Sequence, residues 1–285
     1  LDRLPEYLFE ALSAGRRVFR AQEEMSLFED VPISRASDYR AFVSIMYGCN
    51  NFCTYCVVPY VRGRERSREP EAVIAEVKAL VEKGYRDITL LGQNVNSYGK
   101  NLEEPMSFAE LLQEVEKIDG LDRIRFMTSH PKDLSEDLIQ VMKHSKKICR
   151  HLHLPLQSGS TEILRRMNRR YTKEQYLALA EHLRAEIPDL ALTTDIIVGF
   201  PGETEEQFED LCNFVKEVQF DRLGCFAYSA EENTVAARMD GQIEQEVKEK
   251  RAELVMQIQT GIMAQKQAAK VGQTVRVLCD GIDEE

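Results

Sequence analysis

The sequence predicts an α/β protein built as a partial (β/α)6 TIM-like barrel. From residue 41 onward, short apolar runs alternate with amphipathic helical patterns, and this unit occurs six times. Such alternation is typical of a parallel sheet with right-handed crossovers. Six units are fewer than the eight of a closed TIM barrel, so we expect an open barrel. Polar loops follow most of the predicted strands, at the edge where barrel enzymes carry their active sites.

The strands are predicted at 41–46, 87–91, 123–127, 150–154, 191–197 and 221–226. The helices are predicted at 70–83, 108–118, 134–144, 161–166, 173–186, 204–218 and 244–268. Three of these helices begin with a capping box, in which a Ser or Thr is followed three residues later by Glu or Gln. The pairs are Ser107 with Glu110, Thr172 with Gln175, and Thr204 with Gln207.

Both ends of the chain differ from this pattern. Residues 5–14 predict a short amphipathic helix ended by Gly15, followed by an acidic linker. We expect residues 1–35 to be the tail of an upstream domain plus that linker, and residues 36–268 to form the core. Alternation over 271–278 predicts one strand, so residues 269–285 are expected to begin a small β module.

Composition and net charge limit the classes of protein to which this chain can belong. The chain is 43% hydrophobic and 30% charged, and no run of 18 apolar residues occurs, so we expect no membrane span. The net charge of −11 argues mildly against nucleic-acid binding. Basic runs at 62–68 and 165–170 nevertheless concentrate positive charge locally. Seven cysteines without a disulfide-like arrangement favour a reducing cytoplasm.

The centre of the chain is a cysteine loop with the spacing C-x3-C-x2-C. Cys49, Cys53 and Cys56 follow the first predicted strand. Converging thiolates select iron–sulfur clusters, zinc or copper(I). A structural zinc site is normally closed by four ligands, and no fourth ligand follows at zinc spacing. Three ligands therefore predict a metal centre with one open position, although a zinc-stabilised or iron–sulfur RNA-binding module without catalysis stays open as an alternative.

The loop and four other motifs resemble a known family. The spacing, with Tyr55 directly before the third cysteine, resembles the cluster loop of radical S-adenosylmethionine (SAM) enzymes. Within that superfamily the chain resembles the radical SAM methylthiotransferases. The matching text lies at 47–65, 90–99, 128–131, 153–160 and 194–203.

That resemblance implies the cofactors. Cys49, Cys53 and Cys56 would hold three irons of a [4Fe-4S] cluster, and SAM would chelate the fourth iron. A second [4Fe-4S] cluster is expected on an N-terminal domain absent from this sequence. The β module at the C-terminus would be the first strand of a TRAM domain, a small RNA-binding barrel.

The resemblance also implies a substrate. Most of the motifs resemble the branch that converts N6-isopentenyladenosine of tRNA to its 2-methylthio derivative. The stretches 228–237 and 239–259 look more like the sister branch, which methylthiolates an aspartate of a small-subunit ribosomal protein. We favour tRNA and keep the ribosomal protein as the alternative. We further expect a cytoplasmic monomer that receives electrons from a donor such as flavodoxin or ferredoxin.

Residues after the other strands are candidates for binding SAM. By resemblance, Gly92, Gln93 and Asn94 occupy the position that holds the methionyl ammonium, and Tyr55 lies near the adenine or shields the cluster. Polar side chains at strand ends and flexible glycines give further candidates, namely Gln157, Ser158, Asp195 and Gly199. Asp195 would bind a ribose hydroxyl or cap the next loop. The arginines expected to contact RNA phosphates or the SAM carboxylate are Arg62, Arg64, Arg66, Arg68, Arg169 and Arg170.

Overall fold

The computed structural model describes residues 3–19, 34–275 and 277–279. The chain divides into two units, residues 1–38 and 39–285. The first unit contains helix α1 (Leu4–Ala14), which has a proline in its first turn and ends at Gly15 with a φ of 59°. A left-handed glycine is a common helix terminator because it lacks a Cβ, and the predicted end of this helix is confirmed.

The second unit contains the predicted parallel strands. They are β1 (Arg40–Ser44), β4 (Asp87–Leu91), β5 (Arg123–Phe126), β6 (His151–His153), β7 (Ala191–Val198) and β8 (Arg222–Ala227). Strands β1, β4 and β5 pair in parallel, as do β6, β7 and β8. A parallel bridge between Ile124 and Ile148 connects β5 to the segment before β6. The strands therefore follow one another in sequence order, as a partial (β/α)6 barrel requires.

Helices lie between successive strands, and α9 follows the last strand. They are α2 (Val58–Arg62), α3 (Pro70–Glu82), α4 (Phe108–Glu116), α5 (Glu136–His144), α6 (Thr161–Arg166), α7 (Lys173–Glu186), α8 (Glu205–Val218) and α9 (Gln245–Ala268). All three predicted capping boxes form. Each satisfies two backbone amides that the first helical turn leaves without partners.

One face of the sheet packs against the helices in the hydrophobic core, and the opposite, concave face lines the inside of the barrel. Alternate strand residues such as Val43, Leu90, Ile124, Leu152 and Ile196 are fully buried in one hydrophobic cluster with the helices. Because side chains alternate along a strand, their neighbours point to the opposite, concave face. That inner face is polar in β5, β6 and β7, whose residues there are Arg123, Arg125, His151, His153, Thr193 and Asp195.

Helix α9 is fastened to the last strands through buried polar contacts. The Arg251 guanidinium donates to a carboxylate oxygen of Glu203 at 2.9 Å. Gln259 donates its side-chain amide to the Phe220 carbonyl, and Lys248 donates its ammonium to the Tyr228 carbonyl. These contacts fix the loop after β7, where Glu203 lies, relative to β8.

Two features differ from the sequence prediction. A short antiparallel hairpin, β2 (Met46–Tyr47) with β3 (Arg66–Ser67), closes the cysteine loop and was not predicted. Its strands are two residues long, which is too short to show alternation. The strand predicted over 271–278 is not seen in the described residues of that range: 271–272 lie in a turn, and 273–275 and 277–278 have no regular structure. Residue 276 lies outside the described residues.

None of the helices in the described ranges is long and apolar enough to cross a bilayer.

Gly99 gives a test of this fold. Its φ is +81°, and a Cβ there would overlap the Met106 carbonyl oxygen. Gly84 has a φ of +100° but no heavy atom near its Cβ position. Both alanine variants incur the left-handed backbone cost, whereas only Gly99→Ala adds an overlap. In urea unfolding we expect Gly99→Ala to be less stable than Gly84→Ala by about 1–3 kcal/mol. Equal stabilities would show that the 99–106 loop is not packed as described.

Candidate cofactor site

The three cysteines of the loop meet at one cavity. Cys49, Cys53 and Cys56 line a volume of about 330 Å³ at the carboxyl ends of the strands. Cys49 and Cys53 are buried, and Cys56 is half-buried. A larger cavity of about 730 Å³ lies between α4 and α5, but it is lined by polar side chains and has no thiol. Because the smaller cavity combines the three thiols of the loop with the strand ends, we take it as the site.

Several predicted residues line this cavity with the cysteines. They are Tyr55, Gly92, Gln93, Gln157 and Arg169. The sequence analysis missed a second set from the same strand ends, namely Asn51, Val58, Thr128, Ser129, His130 and Pro155. The motif around His130 follows the third strand, so its position at the rim was a usable signal for that residue.

The segment 166–169 clamps the cysteine loop. The Asn168 side-chain amide donates to the carbonyls of Asn51 and Phe52 at 3.0 and 2.9 Å. The Thr54 hydroxyl donates to the Arg166 carbonyl, and the Thr54 amide donates to the Met167 carbonyl. These bonds satisfy the backbone of a loop that has no regular structure, and they fix the sulfur positions.

The β2–β3 hairpin closes the loop from the other side. The Cys49 amide donates to the Gly63 carbonyl, and the Asn50 side chain and amide bind the Glu65 carboxylate. Gly48 has a φ of +77°, and a Cβ there would overlap the Arg64 carbonyl. The hairpin therefore requires glycine at residue 48, directly before the first cysteine.

Arg169 places a buried cation beside the thiols. Its guanidinium lies 3.6 Å from the Cys53 sulfur and donates to the Pro155 carbonyl and the Tyr171 hydroxyl. The residue is 8% exposed. A charge held there stabilises negative charge on the sulfur. Arg169 was predicted to contact RNA or the SAM carboxylate. It is buried in the cavity lining, which does not fit an RNA contact on the surface, and the contact with the SAM carboxylate stays a prediction.

Burial favours the protonated form of two of the thiols, those of Cys49 and Cys56. It raises the pKa of Cys49 to about 11 and also raises the pKa of Cys56. Because thiolates are the ligands, iron must displace these protons as it binds. Burial, together with the nearby Arg169 cation, lowers the pKa of His130 to about 2, so that ring is neutral at the rim.

Two buried side-chain oxygens that receive no hydrogen bond indicate which kind of ligand the cavity would bind. The side-chain oxygens of Gln93 and Gln157 are buried, and no described residue donates a hydrogen bond to either. Buried acceptors without partners are rare in native proteins and call for a ligand that donates hydrogen bonds. SAM carries an ammonium and two ribose hydroxyls, so the lining fits it.

The thiols fit a cluster better than a single ion. In the described part of the chain, no three Cys, His, Asp or Glu side chains are close enough together to hold one metal ion. In an iron–sulfur cluster each thiolate binds a different iron, so the three sulfurs can stand further apart. Three thiols that line one cavity fit the cluster expected from the spacing.

Backbone strain is concentrated at this rim. Phe52, Thr128 and Gln157 have φ values of 48°, 66° and 74°. Non-glycine residues in the left-handed region cost energy and persist where the surroundings force them. Thr128 and Gln157 line the cavity themselves, and Phe52 lies between Asn51 and Cys53, which also line it.

Three predicted SAM contacts have structural roles instead. The Asn94 side chain is buried and donates to Asp133 while accepting from the His130 amide. The Ser158 hydroxyl accepts from the Ser160 amide in the turn before α6. The space that Gly199 leaves by lacking a Cβ is filled by the Lys248 side chain, so it does not bring backbone to the cavity.

Asp195 and the remaining arginines lie outside the cavity lining. Asp195 lies on the inner face of β7, with its carboxylate 3.3 Å from the His153 ring. Arg68 is wrongly predicted as a substrate contact, because it is buried and donates to the Ser44 carbonyl and to Glu76. Of the other predicted arginines, Arg62, Arg64 and Arg170 are exposed, whereas Arg66 is half-buried and donates to the Arg62 carbonyl.

The sequence is similar to a set of curated tRNA-modifying proteins. It is 53% identical over 281 residues to the tRNA-2-methylthio-N(6)-dimethylallyladenosine synthase of Thermoanaerobacter sp. (strain X514). It is 53% identical over 280 residues to the synthase of the same name in Clostridium novyi (strain NT). Each alignment covers 98% of this chain, and the chain spans 60% and 62% of the relatives' lengths.

The fold is similar to that of solved radical SAM enzymes. Coproporphyrinogen III oxidase of Escherichia coli, described as a radical SAM enzyme, matches with a TM-score of 0.57 at 18% identity. The match covers 80% of this chain and 53% of that one. The profile of the Radical SAM superfamily matches residues 43–215, which include the cysteine loop and strands β4 to β7. The chain belongs to the radical SAM superfamily.

Proposed function

We propose that this chain is the SAM-cleaving core of a methylthiotransferase that converts N6-isopentenyladenosine of tRNA to its 2-methylthio derivative. The observation that carries the proposal is the 53% identity, over 98% of the chain, to synthases named for this product. Because the relatives are longer than the chain, we propose the activity for the whole protein of which these residues are the core.

The residues at the rim have distinct roles in this proposal. Cys49, Cys53 and Cys56 hold the [4Fe-4S] cluster, which when bound supplies the electron for reductive cleavage of SAM and so for activation of a C–H bond. Gln93 and Gln157 accept hydrogen bonds from the SAM ammonium and ribose. Arg169 stabilises charge on the Cys53 sulfur, and the buried lining keeps water from the reacting atoms.

The outer surface of the cysteine loop suits RNA. Arg62 and Arg64 are exposed there, and the Arg64 guanidinium lies 4.4 Å from the centre of the Phe52 ring. Tyr60 is 55% exposed beside them. Basic side chains interleaved with aromatic ones bind phosphates and stack on bases. We propose that Arg62, Arg64, Arg66 and Arg170 position the tRNA while its modified base enters the barrel.

The tRNA branch is favoured over the ribosomal-protein branch. The stretch 228–237 suggested the sister branch, but the alignments with the tRNA-modifying relatives extend across it, covering 98% of the chain. We further propose a second [4Fe-4S] cluster elsewhere in the whole protein, an electron donor such as flavodoxin or ferredoxin, and a cytoplasmic monomer.

Removing one thiol tests the cluster assignment. We expect Cys53→Ala to lower cluster content by at least about tenfold after anaerobic reconstitution, measured as iron and sulfide per chain and as visible absorbance. The matched control is Cys279→Ala, because Cys279 is exposed and is not part of the loop. The assay uses the 285-residue chain alone, so that the second cluster proposed for the whole protein does not contribute to the measurement. Equal cluster content in the two variants would contradict the assignment.

Asn168 tests the clamp on the loop. Asn168→Gly keeps the left-handed backbone, whose φ is 59°, but loses the two bonds to the loop carbonyls. Asn168→Ala loses the bonds and also strains the backbone. We expect urea unfolding of the metal-free chain to show losses of about 1–3 kcal/mol for glycine and about 1 kcal/mol more for alanine. Both variants should retain less iron–sulfur cluster than the wild-type chain after reconstitution. Unchanged retention in both variants would show that the clamp does not hold the sulfurs.

The substrate is tested by mass spectrometry of a strain that lacks the gene. We expect the 2-methylthio group to disappear from tRNA and to return with a wild-type copy but not with a Cys53→Ala copy. Ribosomal proteins from the same strain serve as the control. Loss of methylthiolation only from a ribosomal aspartate would overturn the tRNA proposal.

A further inference from the structure

A second cavity lies at the same rim as the cysteines and has no role in the chemistry described above. Its volume is about 480 Å³. The loops after β4 and β5 line it, together with the first turns of α4 and α5. The same two loops contribute Gly92, Gln93 and residues 128–130 to the cysteine cavity. The two cavities are therefore neighbours, and we call the second one the flanking cavity.

One side chain connects the flanking cavity to the cysteine cavity. Asn96 lines the flanking cavity, and its Oδ1 accepts a hydrogen bond of 3.1 Å from the Ser129 hydroxyl. Ser129 in turn lines the cysteine cavity. The oxygen and the nitrogen of an amide diverge from one carbon atom. An Asn96 oxygen that is bound to Ser129 therefore leaves the Nδ2 on the side that faces away from Ser129.

This Asn96 nitrogen lacks an acceptor. Asn96 is 9% exposed, and no described residue accepts a hydrogen bond from its Nδ2. Buried donors without an acceptor are rare in native proteins, because each costs the free energy of an unmade hydrogen bond. The flanking cavity therefore suits a ligand that offers an acceptor. The cysteine cavity has the opposite requirement, since the unbonded oxygens of Gln93 and Gln157 need donors.

Apolar side chains form much of the wall around Asn96. Pro105 is exposed, Met106 and Leu134 are half-buried, and Phe108 and Leu138 are buried. A pocket of this size, with apolar walls and a directed polar group, is typical of sites for organic ligands. A nucleobase fits this description, because it has apolar faces and carries acceptors along its edge.

The charges at the flanking cavity balance. Two cations, Lys100 and Lys132, and two carboxylates, Asp133 and Asp137, line it. The Asp133 carboxylate accepts from the Asn94 side-chain amide at 2.8 Å, and its other oxygen lies 2.9 Å from the Lys100 ammonium. A site for a bare phosphate carries an excess of positive charge. The balance here favours a neutral ligand group instead.

We propose that the flanking cavity binds the base of a nucleotide next to the target adenosine of the RNA, with the Asn96 Nδ2 donating to an acceptor on the edge of that base. The inference rests on the proposed function, which brings RNA to this rim and the target base to the cysteine cavity. Proteins recognise single-stranded RNA by unstacking bases and binding their edges. A neighbouring base held in this cavity fixes the register of the strand, so that the correct adenosine reaches the cysteine cavity.

An abasic nucleotide in the RNA tests the cavity without any change in the protein. RNA hairpins taken from the substrate tRNA carry one abasic residue on either side of the target adenosine. Their affinities for the reconstituted whole protein are measured by filter binding. An abasic residue keeps every phosphate, so a loss of affinity reports on the base alone. We expect one of the two positions to lose about tenfold or more in affinity.

Asn96→Asp tests the donor with little change in shape. It replaces Nδ2 by an oxygen and keeps an acceptor for Ser129. The matched control is Asn213→Asp, because Asn213 is exposed on α8 and the substitution adds the same charge. We expect Asn96→Asp to weaken binding of the intact hairpin about tenfold or more, and the control to leave it nearly unchanged.

Combining the two changes separates a contact with the base from a general structural effect. If Asn96 acts on the missing base, the abasic hairpin binds Asn96→Asp and the wild-type protein equally well. A variant that is merely misfolded binds the abasic hairpin less tightly than the wild-type protein does. Urea unfolding of both variants measures the change in stability independently.

Photocrosslinking to the wild-type protein locates the base directly and does not depend on how well Asn96→Asp folds. A 4-thiouridine at the sensitive position is irradiated in the complex, and the crosslinked peptide is identified by mass spectrometry. We expect the crosslink within 96–109 or 132–138, the segments that line the flanking cavity. A hairpin with the 4-thiouridine in its stem is the control and should not crosslink to these segments.

Three results would each overturn the inference. They are crosslinks only outside the two segments, full affinity of both abasic hairpins, and an equal abasic loss in Asn96→Asp and the wild-type protein. Water in the cavity would then be the partner of Asn96. If the whole protein still methylthiolates tRNA, such a result leaves the proposed function intact. Loss of methylthiolation only from a ribosomal aspartate in the deletion strain would overturn the proposed function and this inference together.

Discussion

The site depends on holding three sulfur atoms in place on a loop that has no regular secondary structure. A loop of this kind must find hydrogen-bond partners for its backbone or leave buried polar groups unsatisfied. The segment 166–168 supplies those partners from one side, through the Asn168 side-chain amide and the Arg166 and Met167 carbonyls. The β2–β3 hairpin supplies them from the other side. The positions of the thiols are therefore set by residues that contribute no ligand.

The barrel provides the setting for this loop. Parallel strands bring their carboxyl ends to one edge, and there the thiols meet residues from the loops after β4, β5 and β6. The burial that stabilises the rim also raises the pKa of the Cys49 thiol. The same environment thus excludes water and makes metal binding release protons.

The helices and strands could be predicted from the sequence because they are determined by residues that lie close together in the chain. Capping boxes set the starts of α4, α7 and α8, and hydrophobic periodicity set their lengths. The three cysteines could be predicted because ligand spacing is local as well. The role of Arg169 beside the cysteines could not be predicted from the sequence. It depends on contact with the Cys53 sulfur, and the two residues are 116 positions apart in the chain. Asn94 lies in the motif after β4, but its amide turns to Asp133, which only the folded loops bring near. The fold class is confirmed, whereas the roles given to single polar residues at the rim required the tertiary structure.

The central claim is that the three thiols hold a cluster with an iron left open for SAM. Electron paramagnetic resonance of the reduced, reconstituted protein with and without SAM tests it most directly. We expect the spectrum to change when SAM is added, because a ligand joins one iron of the cluster. An unchanged spectrum in a protein shown by dialysis to bind SAM would contradict the claim, since SAM would then bind away from the iron.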